Sequence, residues 1–111
     1  MELKLIVSNL GLECSTGEVP ETSITGGYTS DLLSDVMGNC KKGSVWITMH
    51  THLNIVAVAA LLEIPAIIIS GGNIPDPETI ARAAKEGVTI LLTPLSSFEI
   101  SGELYKLLTP A

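Results

Sequence analysis

Apolar positions along this chain fall into two patterns. Unbroken short runs occur at Ser44–Met49 (SVWITM), Ala66–Ser70 (AIIIS) and Val88–Thr93 (VTILLT). All three read as strands, and the unbroken apolar character of AIIIS and VTILLT suits strands buried within a parallel sheet. Between and after them the apolar residues take helical spacing. His52–Glu63 (HLNIVAVAALLE) predicts a helix of about three turns, apolar almost all round. Asp76–Gly87 (DPETIARAAKEG) predicts the best-punctuated helix: Asp76 at the N-cap, Pro77 at the first helical position, Gly87 as the stop. Ile80, Ala83 and Ala84 are expected to face inward there. The last segment, SSFEISGELYKLL, carries the capping-box pattern Ser96–x–x–Glu99, with Ile100, Leu104, Leu107 and Leu108 as its buried side.

The N-terminal third is less regular. ELKLIVSNLG reads as a helix over Leu3–Asn9 with Gly11 to end it, a strand being the alternative. LECST and SITGGY read as short strands around a turn-rich piece at Gly17 and Pro20. TSDLLSDVMGN reads as a helix capped by Ser30 or Thr29, with Asp31 in its first turn and Gly38 at its end. Leu32, Leu33, Val36 and Met37 would form its apolar face. Strands alternating with helices through short joints pair in parallel. The expected fold class is α/β: a small three-layer domain with a mainly parallel sheet flanked by helices, residues 1–111 forming one domain.

Composition narrows the function. Of 111 residues, 46% are hydrophobic and only 16% charged, which is globular rather than disordered. Aromatics are 4%, so Ala, Val, Ile and Leu must fill the core. The net charge of −6 and the absence of a basic stripe argue against nucleic acid or an anionic membrane as partner. Cys14 and Cys40 form no C-x-x-C, and no basic segment leads into an apolar one at the start. Two free thiols and a cytoplasmic location are therefore expected. The longest apolar stretch, Ile55–Leu62, falls far short of the ~20 residues that span a bilayer. Mean hydropathy is positive for so small a chain, so a second copy is expected to cover part of the surface.

Parallel strands end on one edge of their sheet, and the polar residues of the C-terminal half gather at those ends. His50, Thr51, His52 and Asn54 follow the first strand; Gly71, Gly72 and Asn73 the second; Thr93, Ser96 and Ser97 the third. Ligands of open α/β sheets bind there, and helix N-termini favour an anion. Each residue also has a plainer role. Thr51, Asp76 and Ser96 serve as caps, Gly71 and Gly72 as a tight turn with positive φ, and the histidines as polar residues of a junction. Asp31 and Asp35, one helical turn apart, are candidate supporting carboxylates or simply a solvated face. His-x-His holds a metal only with a third ligand, and neither the aspartates nor Cys40 has a spacing that predicts convergence. No metal and no cofactor is expected. There is no P-loop, no G-x-S-x-G and no G-x-G-x-x-G after a strand, so no enzyme signature. A hydrolase or transferase using His50 and His52 is the remaining catalytic alternative.

The stretches TGGYTSDLLSDVMGN, GSVWITMHTHLNIVAVAAL, AIIISGGNIPDPETI and GVTILLTPLSSFE resemble the DRTGG domain family over Gly26–Leu108. Gly71-Gly72 fits the family's final G-G. Thr51-His52-Leu53 stands where D-R-T would fall, so the charged pair that names the family is replaced. The resemblance implies a fold similar to the N-terminal domain of HPr kinase/phosphorylase. It also implies the company of CBS-domain pairs, as in some inorganic pyrophosphatases, and a role in regulation and dimerisation rather than catalysis. The expected function is a non-catalytic, homodimeric module that binds a small anionic metabolite at the strand ends, a nucleotide among the candidates. The alternative is an accessory module that binds a client protein or a CBS-domain protein and no small ligand.

Overall fold

In the computed structural model, which describes residues 1–110, five strands form one sheet and five helices flank it. The helices are α1 (Leu3–Leu10), α2 (Leu33–Asn39), α3 (Asn54–Leu62), α4 (Pro77–Glu86) and α5 (Ser97–Leu108). The strands are β1 (Glu13–Cys14), β2 (Gly26–Thr29), β3 (Ser44–Thr48), β4 (Ala66–Ile69) and β5 (Thr89–Leu92). Sheet order is β1-β5-β4-β3-β2; only β1, against β5, runs antiparallel. The fold is α/β with a mostly parallel sheet.

The four parallel strands lie side by side in chain order, which places the crossover helices α2, α3 and α4 on one face. Alternate strand side chains serve the two faces. Trp46, Ile67, Ile69 and Ile90 meet Val36, Ile55, Val56, Val58, Ala59 and Ala83 of those helices. On the opposite face Val45, Ile47, Ala66, Ile68 and Leu91 meet Leu3 and Ile6 of α1 and Ile100 and Leu104 of α5. Both faces being covered explains why β3 and β4 have no polar alternation. Trp46, on the interior strand β3, is fully buried, and its indole N–H donates to the Ser30 carbonyl at 2.9 Å.

Punctuation worked where a single residue decides it. Gly11 and Gly87 end α1 and α4 in the left-handed region (φ 62° and 75°). Ser96 and Glu99 form both halves of the capping box of α5. Asp76 takes the N-cap position of α4 in extended conformation, but its side chain makes no cap hydrogen bond. α3 ends on Glu63, a non-glycine residue at φ 57°.

Several boundaries differ from expectation. LECST pairs only at Glu13–Cys14, and the SITGGY strand begins at Gly26. α2 starts at Leu33, with Leu32 as an N-cap that has no side-chain bond, and runs through Gly38 to Asn39. Ser30 instead accepts the Leu32 N–H in a local turn, the competition that hydroxyl residues offer a helix start. Asp31 is therefore outside the helix. Of the expected apolar face only Val36 is buried and Leu33 partly so; Leu32 and Met37 are exposed. On α4, Thr79 and Ala83 are buried, Ile80 is half-buried, and Ala84 faces solvent.

Candidate functional site

The β3, β4 and β5 ends are level with one another: Thr48 pairs with Ile69, and Ile69 with Leu92. The three following loops thus leave from one edge of the sheet. From β4 the chain turns to α4 on one face, and from β5 to α5 on the other. The gap between β4 and β5 is the sheet's switch point, where open α/β folds hold ligands.

Here the gap is bridged from within. Gly71 N–H donates to the Leu95 carbonyl (2.7 Å) and Gly72 N–H to the Thr93 carbonyl (3.0 Å). Both glycines have positive φ, 72° and 71°. Consecutive left-handed residues are what a type I′ turn requires. Beneath them the Ser70 and Ser97 hydroxyls lie 2.6 Å apart. Asn73 closes the turn, its side-chain amide donating to the Ser70 carbonyl at 2.8 Å. Thr93, buried, accepts the Leu95 N–H on its hydroxyl. The glycines serve the positive φ of the turn, which aims both N–H groups at the β5–α5 loop; an added Cβ would meet only the Asn73 amide at Gly71 and nothing at Gly72. Six expected site residues are therefore brought together here: Gly71, Gly72, Asn73, Thr93, Ser96 and Ser97. Their polar groups are largely used within the two loops and the first turn of α5, on Ser70, Thr93, Leu95 and Glu99.

The β3–α3 loop is built differently. Thr51 is not a cap: the Asp76 N–H (3.2 Å) and the Thr79 hydroxyl (2.9 Å) both donate to its carbonyl, tying the loop to the start of α4. His52 Nδ1 lies 2.6 Å from the Asn54 side-chain oxygen and 3.2 Å from the Asn54 backbone nitrogen, which holds the ring against the first residue of α3; Leu53 takes the N-cap position without a side-chain bond. His50 turns the other way, its Nε2 on the Asp31 carbonyl. The two histidines thus have separate partners. Among the described residues no three His, Cys, Asp or Glu side chains converge.

Asp31 and Asp35 do not act as a pair. The Asp31 carboxylate accepts from the Thr48 hydroxyl and the Met49 N–H, both at 2.8 Å, and so braces the end of β3. Asp35 receives the Tyr28 hydroxyl at 2.9 Å and the Asn39 amide. Hydrogen bonds from Ser30 and Tyr28 hold its carboxyl below the ordinary carboxylate range.

A groove of about 360 Å³ opens beside this loop, between α3 and α4. His52 and Asn54 stand at its mouth, Val56, Ala57 and Ala60 form its floor, and Arg82 lines the α4 side. Arg82 is the chain's single arginine and pairs loosely with Glu86, at 3.8 Å. The size is within the range of small-molecule sites. Sequence reasoning put His52 and Asn54 at the rim but missed Arg82; the signal was its place on the α4 side facing α3. The arrangement offers an apolar bed, an imidazole, and one guanidinium whose carboxylate partner, Glu86, also lines the groove; a flat anionic ring would have to compete with Glu86 for Arg82.

No protein-family model matches the chain, and no curated protein matches it. Among solved structures it is similar to the CBS and DRTGG domains of the regulatory region of Clostridium perfringens pyrophosphatase, determined in complex with the activator diadenosine tetraphosphate. The likeness has a TM-score of 0.68 at 22% identity. It covers 92% of this chain but 44% of that one, so this chain spans less than half of the matched structure. At that identity the likeness shows the fold, one consistent with a DRTGG domain.

Proposed function

We propose that this chain is a non-catalytic regulatory domain, acting as a cytoplasmic homodimer, that senses a small anionic metabolite at the carboxyl ends of its parallel strands. A nucleotide is the class that fits best. The observation that carries this reading is the groove that opens between α3 and α4 beside the β3–α3 loop, where His52, Asn54 and Arg82 border an apolar floor and Glu86, the one acidic group of the lining, pairs only loosely with Arg82. The fold shared with a nucleotide-activated regulatory region supports it. His52 and Arg82 are assigned the charge contacts and Asn54 a hydrogen bond. Gly71, Gly72, Asn73, Thr93, Ser96 and Ser97 hold the rim in shape, and Thr51, His50 and Asp31 hold the β3–α3 loop. A CBS-domain protein is the partner class that the likeness favours.

The test is thermal stability against mono- to tetraphosphate nucleotides, inorganic phosphate and small carboxylates. A ligand present at 100 times its Kd stabilises the fold by about 2.7 kcal/mol. The expected result is a concentration-dependent rise in Tm with a nucleotide that His52→Ala and Arg82→Ala both abolish. No shift with any anion sinks the ligand reading. One feature favours a second reading, an accessory module with a protein client: α3 leaves Leu61 68% exposed and Ala57 and Ala60 open on its outer side. Under that reading a Leu61→Glu variant loses its client while ligand responses stay absent.

A further inference from the structure

The chain has four aromatic residues, and two of them, Phe98 and Tyr105, are 88% and 71% exposed. Both lie on α5. They are seven residues apart, two helical turns, so they share one face of the helix. Between them on that face sits Gly102, where an added Cβ would meet nothing within 4 Å. The inner side of α5 is already committed, Ile100 and Leu104 being buried against the sheet. The outer face is therefore an aromatic, a gap and an aromatic in a row. Grooves border it on both sides: about 410 Å³ toward the end of α1, lined by Asn9, Leu10 and Leu95, and about 320 Å³ toward β2, lined by Gly26, Gly27 and Tyr28.

That row is self-complementary. A second α5 laid antiparallel across the first, crossing at Gly102, sets Phe98 against Tyr105 of the partner subunit and Tyr105 against the partner's Phe98. The glycine lets the two backbones approach. Glu99, Glu103 and Lys106 lie along one flank of α5. A twofold axis through Gly102 brings Glu99 to Lys106 of the partner subunit, twice, and sets Glu103 beside the partner's Glu103, so two attractive pairs stand against one repulsive one. Isologous interfaces have this reciprocity, in which one residue meets a second and the second meets the first. Exposed aromatics around a small central residue also match the composition of interface anchors.

We infer that the α5 outer face, Phe98–Gly102–Tyr105, is the surface through which two copies of this chain associate, antiparallel about Gly102. The inference rests on the homodimeric reading above and assigns it a surface; the ligand groove between α3 and α4 lies on the other side of the sheet and is left open.

Sedimentation of the full chain with and without the double substitution Phe98→Asp and Tyr105→Asp tests it, together with cysteine cross-linking. Both side chains are on the surface, so folding, followed by circular dichroism and Tm, should be unchanged. The expected result is a wild-type dimer whose dissociation constant rises roughly tenfold or more in the double variant. Gly102→Cys, on the axis, should form a disulfide-linked dimer under mild oxidation, with wild type as the control for Cys14 and Cys40. Phe98→Cys should link to Tyr105→Cys in a mixture far better than to itself. A strict monomer overturns both this surface and the dimeric reading. A dimer that survives the double substitution, or that fails to cross-link at Gly102, overturns this surface alone.

Discussion

Single residues carry much of what shapes the rim. At Gly71 and Gly72 the backbone holds positive φ twice in succession, a region in which a Cβ costs roughly 1–2 kcal/mol. Gly72 would meet no neighbour, so strain alone acts there; Gly71 would also bring a Cβ to 3.1 Å from the Asn73 amide. Gly72→Ala should therefore destabilise by about 1 kcal/mol and Gly71→Ala by at least as much, measured by urea unfolding. If both are neutral, the turn is not the conformation described. Glu63 holds the same region at the end of α3 with only an exposed ion pair to Lys42 at 3.4 Å. Such pairs contribute little, so glycine would suit that position at least as well.

At the level of elements, α4 and α5 were legible in the sequence because their signals are local: Asp76, Pro77 and Gly87 bracket one, Ser96 and Glu99 the other. Removing the box with Ser96→Ala should cost about 1 kcal/mol, read from the urea midpoint at constant m-value. Buried strands were legible too, since β4 and β5 are covered on both faces and tolerate no polar alternation. What failed was competition among neighbours. Ser30 and Thr51 are good caps by type, but Ser30 closes a turn on Leu32, and the ring of His52 reaches the Asn54 N–H while Thr51 gives its carbonyl to Asp76 and Thr79. The bonds that fill the β4–β5 gap join residues more than twenty positions apart, Gly71 to Leu95 and Ser70 to Ser97. No local pattern announces them. For that reason a rim of polar loops was foreseeable, and its being stitched shut, with the open groove displaced toward Arg82, was not.

For the whole molecule, stability is tied to pH through a buried thiol. Cys40 packs with Val36 and Trp46 under α2, and burial pushes its pKa from 9.0 up to about 11. The folded state favours the neutral thiol. Its contribution is fully present below pH 9 and is lost as pH rises toward 11, because the unfolded chain sheds the proton first. Unfolding free energy should fall across that window in wild type and fall less in Cys40→Ala. In the native state at pH 8, Cys40 should also alkylate far more slowly than half-buried Cys14; equal rates would mean that α2 opens readily.

Trp46 gives the molecule a built-in optical readout. The chain has one indole, sealed in β3, an interior strand of the sheet, and hydrogen-bonded to the Ser30 carbonyl. Its native emission should be blue-shifted and shielded from quenchers in solution, and should turn red when water reaches β3. Unfolding of each variant discussed above, with or without nucleotide, can thus be followed by the colour of that emission, without attaching a dye.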